Sequence, residues 1–127
     1  MLPLRVPLVW LVLGWVLILG VSLGSLVPGS AVPGWMPWDK LSHLVAYSGL
    51  MLWFCGMYPR TRYRWVAAGL LLLGIVLEVL QRLSGYRSFE LQDMLANGLG
   101  LALGWWLAVI ILGGWCLKLE RLVFDRS

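Results

Sequence analysis

Charge is what this sequence has least of. Among 127 residues, ten are Lys or Arg, six are Asp or Glu and one is His. The charged fraction is 13%, against about 25% in soluble globular domains, which is too little to cover a water-exposed fold of this size. Disorder is excluded from the other side, because 61% of the residues are hydrophobic and nine are Trp, the opposite of a disordered composition. Cysteine is scarce as well: the two present, Cys55 and Cys116, read as small packing residues, because the topology derived below keeps both from the oxidising face. No CxxC, P-loop or GxGxxG pattern is found. A membrane domain remains, and its size is bounded. A crossing takes roughly 20 apolar residues, so four crossings use about 80 and leave no room for a soluble module.

Uninterrupted apolar stretches predict an all-α integral membrane protein. It is a single domain over 1–127, a four-helix bundle with spans at about 7–27, 41–58, 65–83 and 94–117. The breaks have chemical reasons. Pro28, Gly29, Pro33, Gly34 and Pro37 cannot continue a helix, Pro59 precedes a basic turn, and Ser84 and Gly85 interrupt the chain again. The first stretch is longer than the roughly 7–15 residues of a signal-peptide core, so it is expected to be retained.

The basic residues orient the bundle. With the N-terminus inside, Arg5, Arg60, Arg62, Arg64, Lys118, Arg121 and Arg126 lie on the inner face and only Lys40, Arg82 and Arg87 on the outer one. Both termini are therefore expected in the cytoplasm. Charges scattered over helix ends form no nucleic-acid-binding stripe, so no nucleic-acid partner is expected. Trp35 and Trp38 mark the outer interface and Tyr58, Tyr63, Trp65 and Trp115 the inner one. Small residues recur every four positions at Ala96, Gly100 and Gly104. Such a ridge lets two helix backbones approach, either within the chain or toward a membrane-protein partner.

The informative residues are polar ones inside apolar stretches, since each is costly there unless paired or hydrated. Asp39, Lys40, His43 and Tyr47 open the second span, and Asp39, His43 and Tyr47 share one face at four-residue spacing. Glu78, Gln81 and Arg82 close the third span, and Asp93 and Asn97 open the fourth. On this topology three helices bring polar groups to the same depth, roughly one to one and a half turns below the outer surface at about 1.5 Å per residue. The inner halves carry no comparable set. Singly, these residues have ordinary explanations: helix-dipole carboxylates at Asp39 and Asp93, an ion pair of Glu78 with Arg82, and interhelical hydrogen bonds at Gln81 and Asn97. Their shared depth predicts a pocket lined by Asp39, Lys40, His43, Tyr47, Glu78, Gln81, Arg82, Arg87, Asp93 and Asn97.

Such a pocket has acid–base groups, and burial raises a carboxylate's pKa, but no activated nucleophile accompanies them. If it were an enzyme, Glu78, His43 and Asp93 would carry the chemistry. One His with scattered carboxylates is a weak metal signature, so neither a metal nor a cofactor is expected. Lys40, Arg82 and Arg87 stand at headgroup height and suit a phosphate.

These motifs are ordered as Asp39-Lys40-Leu41-Ser42-His43 with Tyr47, Glu78-Val79-Leu80-Gln81, Gly85-Tyr86-Arg87-Ser88, and Asp93 with Asn97 and Gly100. Over about residues 36–105 they resemble the VanZ-like family of small polytopic bacterial membrane proteins. The resemblance implies the bacterial inner membrane, cell-envelope biology and a link to teicoplanin-type glycopeptide resistance. It brings no reaction mechanism. The leading expectation is a non-enzymatic envelope protein whose outer-leaflet pocket binds an anionic lipid, a polyprenyl-phosphate headgroup or a lipid-linked wall precursor. The alternatives are an intramembrane acid–base enzyme acting on a lipid-linked substrate, and an accessory subunit of a larger membrane complex.

Overall fold

A computed structural model describes residues 1–26, 38–84 and 91–125, and among these there is no strand. Five α-helices follow in order: α1 (Pro7–Leu26), α2 (Trp38–Met57), α3 (Tyr63–Ser84), α4 (Leu91–Leu107) and α5 (Trp115–Phe124). A 3-10 turn, Arg60–Arg62, links α2 to α3. Pro7 opens α1, where its missing N–H costs nothing because first-turn donors have no partner within the helix.

Three helical stretches are long and apolar enough to cross a bilayer: Pro7–Gly24, Arg60–Leu83 and Asp93–Leu112. The second expected span differs from them, because the apolar part of α2 is only Leu41–Met57. The reason lies in its position. α2 is the central helix and touches α1, α3, α4 and α5, burying Tyr47, Leu50, Met51, Phe54, Cys55 and Met57. A helix enclosed by protein can carry polar groups that a lipid-facing helix cannot. By contrast α1 is mostly exposed, with Leu8, Trp15 and Leu23 facing outward. It stands off α3 to leave an apolar groove of about 710 Å³ lined by Trp15, Phe54, Trp65 and Leu70 among others.

The contact of α2 with α4 is the most extensive in the bundle, and the two helices run parallel: His43 meets Asn97, Ser48 meets Gly100 and Met51 meets Gly104. Glycine makes this approach possible. A Cβ on Gly100 would lie 2.5 Å from the Leu44 carbonyl oxygen, and one on Gly104 would lie 2.8 Å from both the Ser48 carbonyl oxygen and Met51 Cβ. The Gly100–Gly104 ridge, which the sequence leaves open to a partner within the chain or outside it, packs against α2 of the same chain.

The last expected span, 94–117, needs correction. α4 ends at Leu107, a π-helical turn covers Ala108–Leu112, and Gly113-Gly114 breaks the chain before α5. Gly114 has φ +69°, in the left-handed region that other residues enter at a cost. At Gly113 a Cβ would fall 2.6 Å from the Ala108 carbonyl oxygen and 2.7 Å from the Tyr63 hydroxyl. The wide π turn exposes carbonyls, and the Arg60 guanidinium donates to that of Val109 at 2.5 Å. Trp115 and Cys116 therefore belong to α5, a ten-residue helix too short to cross a bilayer. It buries Cys116 and Glu120 and exposes Leu122, Val123 and Arg121.

α5 folds back on the basic end of the bundle. Trp115 Nε1 donates to the Leu52 carbonyl at 2.7 Å, and Trp53 Nε1 to that of Trp10 at 3.1 Å. The Trp10, Trp53 and Trp115 rings form a closed triangle with centroids 5.2–5.6 Å apart. Gly56 makes room for it, since a Cβ there would run into Trp115 Nε1. Beneath this cluster Cys55 and Cys116 are fully buried free thiols. Burial first, and the Glu120 carboxylate second, push the Cys116 thiol up to about 12, so it is not a nucleophile near neutral pH. Maleimide should label native protein at less than about a tenth of the rate seen after denaturation in SDS. Labelling of the folded protein at the unfolded rate would contradict this packing.

Candidate functional site

The opposite end of the bundle holds the polar cluster. His43 lies a turn and a half into α2, Glu78 about as far before the end of α3, and Asp93 and Asn97 in the first two turns of α4. Because α2 and α4 run parallel and α3 returns between them in sequence, these four positions meet at one level. Asp93 is favoured locally by the α4 N-terminal dipole, and His43 and Asn97 by the close α2–α4 approach around Gly100.

The geometry is compact. His43 Nδ1 and Asn97 Oδ1 are 2.8 Å apart. One ligand atom each of His43, Glu78 and Asp93 falls within 4.8 Å of the others. Glu78, Asp93 and Asn97 are each 1% exposed and His43 8%, so two carboxylates and an imidazole are enclosed by protein. Asn97 Oδ1 can only accept, so the hydrogen bond between these two side chains is donated by His43 Nδ1.

Other expected residues divide into three groups. Tyr47 and Gln81 are buried one turn from His43 and Glu78 respectively. Asn97 Nδ2 and the Tyr47 hydroxyl both abut Gly74 of α3, 3.0 and 3.2 Å from where its Cβ would stand. Arg82 is exposed on the last turn of α3, at the rim and not in the cluster. Asp39 and Lys40 lie in the first turn of α2, while Arg87 lies outside the described residues. Sequence reasoning passed over Gly74, whose missing side chain lets α3 close on Tyr47 and Asn97. A glycine in an apolar helix one turn before a glutamate was the available signal.

A second polar centre at the basic end was also missed. Glu120 of α5 is 3% exposed. It accepts from the backbone N–H of Arg5 at 2.6 Å, that of Val6 at 3.1 Å and Trp10 Nε1 at 2.7 Å. It thereby caps the entry to α1 from a helix more than a hundred positions away. Desolvation acts to raise its pKa, but these three hydrogen bonds and the Arg5 charge outweigh it and hold the carboxyl below its ordinary value. Arg5 also pairs with Asp125 at the surface and lies 5.5 Å from the Phe124 ring centre.

The sequence matches a known family model over residues 6–112, that of VanZ/LLP1. The chain belongs to the VanZ/LLP1 family. No curated protein and no solved structure matches it. In this VanZ-like protein the matched region takes in α1 to α4, and so includes the whole His43, Glu78, Asp93 and Asn97 cluster.

Proposed function

We propose that this VanZ-like protein is a multi-pass envelope protein of the bacterial inner membrane, with four crossings and both termini in the cytoplasm. In this reading the buried cluster is an outer-leaflet pocket for the polar head of an anionic lipid or lipid-linked wall precursor. The observation that carries it is the convergence of His43, Glu78, Asp93 and Asn97 from three helices at a single level. The seven basic residues of the opposite end supply the orientation.

Charge divides the pocket's work. Glu78 and Asp93 repel a phosphate but accept hydrogen bonds from hydroxyl, amide or ammonium groups of a head. In this reading the phosphate falls instead to Lys40, Arg82 and Arg87, with Arg the better bidentate donor. Asn97, Tyr47 and Gln81 add neutral donors and acceptors. Lowered sensitivity to teicoplanin-type antibiotics is part of the proposal through the family alone.

Native mass spectrometry from nanodiscs with phosphatidylglycerol or undecaprenyl phosphate tests it. Wild type should retain these lipids over phosphatidylcholine. Arg87→Ala and His43→Ala should each weaken retention about tenfold, the value of one charge-assisted hydrogen bond. Equal retention of all three lipids, or retention unchanged in both variants, overturns the reading.

A second reading is supported by the approach of an imidazole to two carboxylates within 4.8 Å, a geometry suited to proton transfer. It makes the protein an acid–base enzyme on a lipid-linked substrate, with Glu78 or Asp93 acting beside His43. It requires turnover of a lipid phosphate, ester or amide that Glu78→Gln abolishes in folded protein.

A further inference from the structure

We infer that His43, Glu78 and Asp93 form a binding site for one divalent first-row metal ion. The three residues come from three different helices, are all buried and bring one nitrogen and two carboxylate donors within 4.8 Å of one another. Metal–donor distances of about 2.0–2.2 Å set donors roughly 3.5 Å apart around a tetrahedral ion. In the proposed site the two carboxylate side chains turn toward the ion to make up that difference.

The set is more than a group of acids. In a metal site the ligating imidazole donates its other N–H to an oxygen that fixes the ring's tautomer and direction. Here Asn97 Oδ1 faces His43 Nδ1 at 2.8 Å, which in the proposed site makes Nε2 the ligand atom. Asn97 is held in turn between α2 and α3, its amide nitrogen against Gly74. A dipositive ion is a fitting counter-charge for two carboxylates held this close in a buried site. One imidazole with two carboxylates suits Zn²⁺ or Mn²⁺ better than a soft ion.

Three protein ligands leave a coordination position open. This deepens the lipid-head reading and rests on it only for the outer ligand, since the open position would take a hydroxyl or carbonyl oxygen of the head whose phosphate Lys40, Arg82 and Arg87 hold. Asn97 is then a positioning residue and His43, Glu78 and Asp93 the ligands.

The test uses full-length protein in detergent, stripped with EDTA and titrated with Co²⁺. Wild type should bind one ion per chain with visible ligand-field bands that Zn²⁺ abolishes by competition. His43→Ala and Glu78→Gln should remove the bands, and Asn97→Ala should weaken binding about 10–100-fold. Asp125→Asn, at the other end of the bundle, should leave binding unchanged. A readout that needs no variant accompanies these: Zn²⁺ should raise the wild-type unfolding midpoint with concentration, as mass action requires. Absence of the bands and of the Zn²⁺ shift overturns the inference, and so does equal loss of binding in Asp125→Asn and Glu78→Gln. Repeating the lipid measurement in EDTA separates the two proposals. Lipid retention without metal binding removes the metal site alone, and metal binding without lipid retention removes the lipid reading alone.

Discussion

Gly100→Leu is expected to lower the unfolding midpoint of this protein far below that of the wild type. Even the first carbon of the new side chain would stand 2.5 Å from the Leu44 carbonyl oxygen and 3.2 Å from the Ser48 backbone nitrogen. Both neighbours are main chain inside α2, so neither can rotate away, and α4 must retreat by roughly 1 Å to restore van der Waals contact. Overpacking of this kind costs about 1–3 kcal/mol. The retreat also breaks the 2.9 Å bond from Ser48 Oγ to the Gly100 carbonyl, a further loss of about 1 kcal/mol. Against a typical total of roughly 5–15 kcal/mol, that loss is large. Gly98→Ala is the matched control: nothing lies within 4 Å of a Cβ there, and alanine in a helix gains about 0.5–1 kcal/mol over glycine. Intrinsic Trp fluorescence during thermal or SDS unfolding reads both. Equal midpoints for the two variants would remove the close α2–α4 contact from this account. A milder change, Gly100→Ala, should strain the 2.8 Å His43–Asn97 contact one turn away, because the same retreat separates those helices.

That contact also explains how much could be read from sequence. His43, Glu78, Asp93 and Asn97 stood out because each polar residue inside an apolar stretch needs a reason, and helix direction alone put them at one depth. Which helices touch was not legible. The four-residue recurrence of Ala96, Gly100 and Gly104 announces a close approach without naming the partner, and only the parallel pairing of α2 with α4 assigns it. The break at Gly113-Gly114 was legible from the residue pair itself but was masked by the apolar residues on both sides, which continue the hydropathy of a span. Glu120 was hidden for a related reason. A glutamate near the end of a basic segment reads as an exposed charge, and nothing local reports that Gly114 turns the chain so that α5 meets the start of α1.

Glu120→Ala is accordingly expected to release α5 and the first turn of α1 together. Removing the carboxylate leaves the Arg5 and Val6 N–H groups and the Trp10 indole N–H, all now satisfied by it, without their acceptor, and orphaned donors cost more than the bonds contributed. The Trp10, Trp53 and Trp115 triangle lies directly on this contact, so a red shift in Trp emission should accompany faster proteolysis after Lys118 or Arg121. The neighbouring Arg5–Asp125 pair is exposed on both sides, and exposed pairs contribute little, so Asp125→Asn should change neither signal. The pH dependence follows from the lowered Glu120 pKa. A carboxyl held below its unfolded value binds its proton less readily when folded, so its contribution is fully present above the unfolded pKa. That contribution falls away as the pH drops through the lowered folded value. Glu120→Gln should therefore flatten the acid limb of the wild-type stability profile while leaving its neutral region lower. If instead both profiles keep the same acid slope, Glu120 is not the carboxylate that ties α5 to α1.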